Sequence, residues 1–191
     1  MEAPTNVTIQ DTLANPAPLG LLGFGMTTVL LNLHNAGLFE FNSMILAMGI
    51  FYGGLAQIIA GIIEMKKKNT FGATAFISFG CFWLTLVGLV VMPKISWASA
   101  ASSSAMSAYL LMWGLFTFCM FIGTLKLGWA LQFVFGSLTI LFLLLAIGEA
   151  TGSAQVTRIA GIEGIICGFS AVYTAIAQIL NEIYQRKMLP V

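Results

Sequence analysis

Hydrophobic residues fall into six long runs along the chain, and short polar stretches separate these runs. The runs cover about residues 17–34, 42–64, 70–92, 105–125, 127–149 and 157–180. About 20 predominantly apolar residues cross a bilayer as one helix. The pattern predicts an all-α membrane protein with a six-span domain at 15–185, an N-terminal tail at 1–14 and a C-terminal tail at 186–191. The very short break at Lys126 predicts that spans four and five are antiparallel neighbours.

Lysine and arginine residues are distributed unequally between the two ends of the predicted spans. With six spans, both termini and the second and fourth connections share one side, which holds Lys66, Lys67, Lys68, Lys126, Arg186 and Lys187. The other side holds Lys94 and Arg158. Because positively charged loops stay on the cytoplasmic side, this distribution predicts a multi-pass plasma-membrane protein whose two tails are both cytoplasmic.

The overall composition supports a bilayer location and argues against several other classes of protein. Of the 191 residues, 59% are hydrophobic and 8% are charged, whereas a soluble domain carries about 25% charged residues. The net charge of +1 leaves no basic surface for nucleic acid. The first fifteen residues contain no apolar core flanked by Lys or Arg, so no cleavable signal peptide is expected.

The three cysteines give no sign of a metal or cofactor site. Cys81, Cys119 and Cys167 lie far apart within apolar runs and show no metal-ligand spacing. We therefore interpret them as small buried hydrophobic residues. The sequence predicts neither a metal nor another cofactor.

Small and polar residues form stripes at helical spacing on the spans. The segments GIFYG (49–53) and GIICG (164–168) fit the GxxxG pattern of close helix contacts, and we interpret their glycines as packing positions. Buried amides and carboxylates are different, because an ionised group in lipid costs about 2.5–3.5 kcal/mol even on the lenient insertion scale. Gln57, Glu163 and Gln178 are therefore predicted to face water or substrate.

Glu163 has a second interpretation as a proton-sensitive group, since it leads the polar stripe of the last span. A carboxylate that is hydrogen-bonded near a span end explains the same position equally well. The sequence alone leaves both alternatives open.

The first span begins with a segment rich in proline and glycine, NPAPLGLLGFGMTT at residues 15–28. Asn15 suits the N-cap and Pro16 the first helical position. Pro18 lies in the first turn, where its missing N–H breaks no intrahelical bond. The remaining free N–H groups carry the positive end of the helix dipole. The segment thus predicts an anion-attracting helix start, with an ordinary helix start as the alternative.

The same segment resembles the signature of the acetate–succinate transporter family, the SatP/YaaH type. Similar motifs follow in order from Leu13 to about Glu182, namely LNLHNAG, LAMGIFYGGLAQIIAGIIE, KKNTFGATAF, FWLTL, TLK, LQFVF and ICGFSAVY. The resemblance implies a protomer of six helices around a narrow pore, with a fold like that of the urea channels, and a homohexameric assembly. It implies uptake of acetate and other small monocarboxylates, with succinate as a further substrate, by channel-like flow or with a coupled proton.

The resemblance also implies an apolar constriction in the pore. Phe24 of GFGMTT, Phe79 of SFG and Leu138 of SLT would form this constriction, and Ala171 after ICG would help to set substrate size. The family commonly has Tyr in the second motif, so Phe79 lacks a hydroxyl and the details of gating stay open. A bare carboxylate loses hydration at such a ring, which is costly. Polar groups on either side, with Asn15 and Thr28 among the candidates, would replace the lost water.

Other functions fit the residues less well. An intramembrane enzyme would need a nucleophile–base pair or a metal cluster, and the one histidine, His34, has no carboxylate at ligand spacing. An ammonium-type channel would call for two pore histidines. A channel for amides, urea or another small neutral solute on the same fold is the main alternative, and a comparison of acetate with urea flux separates it from a carboxylate pathway.

Overall fold

The computed structural model describes residues 13–191, and the helices in this part of the chain follow the predicted runs. Six are long and apolar enough to span a membrane: α1 (Ala17–Asn35), α2 (Ser43–Lys66), α3 (Thr70–Lys94), α4 (Ser103–Thr124), α5 (Trp129–Thr151) and α6 (Ala154–Ile183). Each overlaps one predicted run, so the prediction of an all-α protein with six spans is confirmed. Of the predicted tail at 1–14, all but the last two residues lie outside the described part.

Polar caps explain why four of the helices begin where they do. The side chain of Asn42 accepts a hydrogen bond from the N–H of Met44, two residues on, at 3.0 Å. Asn69, Ser102 and Ser153 each accept one from the N–H three residues on, at 3.0, 3.3 and 3.4 Å. Such caps pair N–H groups that have no partner within the helix. The polar breaks between the apolar runs therefore act as helix starts.

Helix α2 changes its winding in the middle, which the apolar pattern did not indicate. Residues Met48–Ala56 form a π-helix between α-helical turns at Ser43–Ala47 and Gln57–Lys66. The wider turns of a π-helix alter the direction of the side chains that follow it. Glycines in this stretch, MGIFYGGLA, let the backbone lie directly against α3. The side chains from Gln57 onward therefore point where a continuous α-helix would not have placed them.

The six helices form a closed ring around a common axis. Neighbouring helices pack in the order α3, α2, α1, α6, α5 and α4, so the predicted pairing of spans four and five is confirmed. Aromatic side chains of α3 and α4 close the ring, with the centroids of Phe79 and Phe116 5.5 Å apart. The ring order brings residues from distant parts of the sequence to one axis.

Helices α1 and α6 approach so closely that their contact requires glycine on both sides. A Cβ atom at Gly168 would lie 2.7 Å from the carbonyl oxygen of Gly25, and a Cβ at Gly25 would lie 2.6 Å from the carbonyl oxygen of Gly168. Any larger side chain would push the backbones apart. These contacts confirm that the glycines of GIICG are packing positions.

The outer faces of the helices are strongly apolar. Phe51, Leu115 and Phe169 expose 67%, 56% and 57% of their surface. Cys167 is buried as expected, but Cys81 and Cys119 are exposed, so the expectation of burial is wrong for these two. Lipid tails are as apolar as the side chains themselves. An apolar run in a membrane helix therefore does not indicate which residues face inward.

Candidate functional site

A small space at the middle of the bundle, the central cavity, brings the predicted constriction residues together. Its volume is about 20 Å³, which is room for about one water molecule. Its walls come from α1, α2, α3 and α5, and the lining residues are Leu21, Phe24, Gln57, Ala75, Phe76, Phe79, Val134, Phe135 and Leu138. Phe24, Phe79 and Leu138 therefore share one narrow, mostly apolar space.

Phe79 is the hub of the aromatic side chains around this cavity. Its ring centroid lies 6.0 Å from those of Phe24 and Phe135, and 5.5 Å from that of Phe116. The pairs with Phe116 and Phe135 are edge-to-face, an arrangement that aromatic rings favour. Phe76 and Phe135 also line the cavity, although the sequence analysis did not single them out. Together with Phe24, Phe79 and Leu138 they form what we call the apolar collar. In the sequence, Phe76 and Phe135 are each set apart only by being aromatic and by lying three residues before Phe79 and Leu138, respectively.

Gln57 is the one polar residue among the described residues that line the central cavity. Its side chain is 1% exposed, and its Oε1 atom has no hydrogen-bond partner. A buried polar atom without a partner is costly, and in a native protein it calls for an explanation such as a water or ligand. Gln57 follows the π-helical stretch directly. The altered winding thus aims an amide into an otherwise apolar collar.

A second space, the terminal cavity, lies at the end of the bundle that carries the chain termini. Its volume is about 190 Å³. Four of its lining residues also line the central cavity, so the two spaces are neighbours. The lining residues are Ala17, Leu21, Glu64, Asn69, Phe71, Gly72, Ala75, Phe76, Leu127, Leu131, Phe135 and Gln178.

The start of α1 and the end of α6 are joined beside the terminal cavity. Asn15 accepts a hydrogen bond from the N–H of Ala17 at 3.1 Å and donates one to Oε1 of Gln178 at 3.2 Å. The helix begins at Ala17, so Pro16 precedes its first residue instead of occupying it. Pro16 has near-helical backbone angles, which moves the boundary by one residue. Pro18 lies buried in the first turn, as predicted.

Glu64 contributes a carboxylate to the terminal cavity. Its side chain is 3% exposed, and its Oε2 atom accepts a hydrogen bond of 2.8 Å from Nδ2 of Asn69. No Lys, Arg or His is among the described residues that line this cavity. The sequence analysis did not select Glu64. Its spacing of seven residues from Gln57, which keeps both on one helix face, was the available signal.

A third space, the opposite cavity, lies at the other end of the bundle. Its volume is about 590 Å³, and it contains the charged side chains of Arg158 and Glu149. The lone histidine, His34, also lines it, and its Nδ1 atom lies 2.9 Å from the carbonyl oxygen of Phe39. Within residues 13–191 no group of three or more potential metal ligands occurs.

Three further candidate residues are not among the lining residues of these cavities. Thr28 lies one turn beyond Phe24, is 2% exposed, and has an Oγ1 atom without a hydrogen-bond partner. Ala171 is fully buried in the apolar core. Oε1 of Glu163 accepts a hydrogen bond from Oγ of Ser137, across the contact of α6 with α5. The hydrogen-bonded carboxylate that was the second interpretation of Glu163 is therefore present, although it lies well inside α6.

Fold and site together define a class of protein. Six membrane-spanning helices enclose an apolar collar that adjoins the terminal cavity, and a larger cavity lies at the other end of the bundle. This is the architecture of a channel or transporter for a small solute. The chain belongs to the GPR1/FUN34/yaaH family, whose model matches residues 2–189.

Several similar proteins carry names that describe transport. The chain is 59% identical to the Escherichia coli K12 succinate-acetate/proton symporter SatP, over 94% of this chain and 95% of that protein. It is 42% identical to ammonia transport outward protein 2 of Saccharomyces cerevisiae, over 88% of this chain and 62% of that protein. A solved structure, described as the bacterial acetate channel SatP, matches with a TM-score of 0.93 and 58% identity, over 94% of this chain and 99% of that one. The resemblance stated from the sequence is confirmed.

Proposed function

We propose that this protein carries acetate and other small monocarboxylates across the cell membrane, with succinate as a larger substrate. The path runs through the opposite, central and terminal cavities of one protomer. The observation that carries the proposal is the meeting of Phe24, Phe79 and Leu138 with the unpaired amide of Gln57 in one narrow space. The identity of 59% with a succinate-acetate symporter over nearly the whole chain supports the substrate class.

The chemistry of the collar suits a solute with one polar and one apolar end. The methyl group of acetate contacts the rings of Phe24 and Phe79, while the carboxyl group would otherwise lose its hydration at high cost. Gln57 replaces part of that hydration, because its amide both donates and accepts hydrogen bonds. A space of about 20 Å³ is too small for acetate. The side chains of the collar therefore move aside as each acetate passes.

Polar groups at both ends of the path receive the solute from water. Asn15 and Gln178 supply amides beside the terminal cavity, next to the N-terminal end of α1, which favours anions. Arg158 supplies a positive charge in the opposite cavity. No Lys or Arg lines the central cavity among the described residues, which agrees with rapid release, since conduction requires weak binding. The proposal contains no catalytic step.

Transport of acetate is better supported than transport of ammonia or urea. The relative named for ammonia is more distant and is matched over a smaller part of its length than the succinate-acetate symporter. A neutral amide would also fit the apolar collar, so urea is the informative comparison.

The test is uptake of labelled acetate into proteoliposomes that contain the purified protein. We expect protein-dependent uptake of acetate well above that of labelled urea. Vesicles without protein are the control, because acetic acid crosses lipid by itself. Uptake of urea that equals or exceeds that of acetate, after subtraction of this background, contradicts the proposal.

We further propose that residues 15–185 form the membrane domain of a homohexamer in the plasma membrane, with both termini cytoplasmic. The apolar outer faces and the clustering of Lys66, Lys68 and Lys126 at one end support this arrangement. In a background without other cysteines, Lys68→Cys should be protected from an impermeant maleimide added to intact cells. Ser96→Cys, in an exposed turn at the other end, should be labelled. Labelling of Lys68→Cys together with protection of Ser96→Cys overturns the orientation. Native mass spectrometry of the purified protein tests the hexamer.

A further inference from the structure

The terminal cavity contains a buried acid on a path proposed for anions. Glu64 is 3% exposed and lines a space of about 190 Å³ that adjoins the apolar collar. A carboxylate in this position opposes the entry of a second negative charge. Its presence beside the path therefore needs an explanation.

Among residues 13–191, no side chain that lines this cavity offers Glu64 a balancing charge. Helix α1 contributes Ala17 and Leu21, α3 and its cap contribute aromatic, small and amide side chains, α5 contributes Leu and Phe, and α6 contributes Gln178. Within the described chain, no titratable side chain other than Glu64 lines the space. The charged residues that are nearest in sequence to the lining residues are Lys66, Lys67, Lys68, Lys126 and Glu182, and none of them is a lining residue.

Asn69 holds the carboxylate of Glu64 in place. Its Nδ2 atom donates to Oε2 of Glu64 at 2.8 Å, and its Oδ1 atom accepts from the N–H of Gly72 at 3.0 Å, which caps α3. Both polar ends of the Asn69 side chain are therefore engaged. The carboxylate of Glu64 is fixed at the cavity wall by a neutral partner that leaves its charge uncompensated.

Two carboxylates that share one site cannot both ionise without a large electrostatic cost, and one proton between them relieves it. We propose that Glu64 is the proton-binding residue that makes passage of the carboxylate electroneutral, an inference that rests on the proposed function. Acetate occupies the terminal cavity only when it or Glu64 carries a proton. This assigns the coupled proton to Glu64 and not to Glu163, the candidate that the sequence analysis named.

During inward movement, each acetate brings one proton with it. Acetic acid crosses the collar as a neutral molecule and meets the carboxylate of Glu64. The O–H bond of the acid breaks, the proton forms a new O–H bond with an oxygen of Glu64, and acetate leaves as the anion. Glu64 then gives the proton to water and recovers its negative charge. One proton and one negative charge have crossed together, so no net charge moves.

The test compares acetate-driven current with acetate flux in the same proteoliposomes. Glu64→Gln removes the charge and keeps an oxygen that accepts the hydrogen bond from Asn69. We expect wild-type protein to transport acetate with little current, and Glu64→Gln to raise the current per transported acetate by about tenfold or more, since like-charge repulsion of the anion is gone. Passive entry of acetic acid through lipid carries no current and does not disturb this readout.

Two matched variants sharpen the result. Glu182→Gln removes an exposed carboxylate near the same end of α6, outside the cavity lining, and should behave as wild type. Glu163→Gln tests the other candidate for the proton. A current that rises in Glu163→Gln but not in Glu64→Gln overturns the proposal.

The remaining outcomes separate this inference from the proposed function. A wild-type protein that transports acetate with a full current, or a Glu64→Gln variant with the same current per acetate as wild type, overturns the role of Glu64 and leaves acetate transport standing. Parallel loss of acetate exchange and current in Glu64→Gln also overturns it, because the residue would then be needed for structure or passage and not for the proton. Absence of any protein-dependent acetate flux in wild type overturns the proposed function itself.

Discussion

The central and terminal cavities share a wall and differ in almost every other property. Leu21, Ala75, Phe76 and Phe135 line both spaces. Counting the residues that the structure describes, the central cavity has a volume of about 20 Å³ and a single polar residue, whereas the terminal cavity has about 190 Å³ and contains a carboxylate and two amides. A shift of about two helical turns along α2, from Gln57 to Glu64, therefore separates a narrow apolar space from a wider and more polar one.

Helix α2 supplies the decisive polar side chain to each cavity. Gln57 reaches the central cavity and Glu64, seven residues later on the same face, reaches the terminal cavity. The first of these side chains is a neutral amide and the second is a carboxylate. In the proposed path, neighbouring spaces therefore have different roles, with recognition of the solute at the collar and control of its charge at Glu64.

The largest expected effect comes from displacing α1, a helix that lines both cavities. Gly168→Ala places a Cβ atom 2.7 Å from the carbonyl oxygen of Gly25, so α1 moves away from α6. Overpacking of this kind costs about 1–3 kcal/mol, and the thermal unfolding temperature of the purified protein should fall together with acetate uptake. Gly88→Ala is the control, because the nearest atom outside its own backbone is Cε of Met92 at 3.5 Å. Equal stability of the two variants contradicts the close α1–α6 contact.

A second change makes the central cavity wholly apolar and leaves the terminal cavity intact. Gln57→Leu removes the amide that replaces hydration, so acetate uptake should fall by about tenfold, the equivalent of about 1.4 kcal/mol. The free energy of unfolding should stay equal or rise, since the unpaired Oε1 atom is lost. Gln155→Leu, at an exposed position at the start of α6, should change neither quantity. Normal uptake by Gln57→Leu excludes the amide from the path.

A smaller effect widens the collar without changing its polarity. Leu138→Ala enlarges the central cavity, so the ratio of succinate to acetate uptake should rise by about threefold. The loss of stability should be below the about 2–5 kcal/mol of a sealed core, because one side of Leu138 faces the cavity. Leu141→Ala is the matched control, being equally buried at 3% and not part of the cavity lining. It should lower stability without altering the ratio. If Leu138→Ala leaves the ratio unchanged, Leu138 does not line the path.

Much of the fold could be predicted from the sequence, because the bilayer imposes a simple rule on each segment alone. A helix must be about 20 apolar residues long to cross it, and polar caps such as Asn69 and Ser153 mark where the next helix begins. The winding of α2 could not be predicted this way. The apolar pattern reports which residues avoid water, and it carries no information on whether a turn is α or π.

The candidate site was predicted in part, through local motifs and a family resemblance. Phe24, Phe79 and Leu138, which that resemblance selected, line one cavity together with Gln57, and their role as the constriction of a path stays a prediction. Ala171 is buried but is not among the lining residues of the cavity, and Glu163 is hydrogen-bonded to Ser137. Glu64 escaped selection because its burial depends on α1 and α3, and its partner Asn69 lies across the turn that follows α2.

By itself the sequence determined the number of spans, the helix ends and the glycines that permit close packing, since each depends on residues near one another in the chain. Only the tertiary structure decided which polar side chains line the cavities, because this depends on the order in which the helices pack. That order places α1 between α2 and α6 and so brings Asn15 to Gln178. Cavities are spaces between helices. Their size and polarity therefore arise from contacts that no single segment contains.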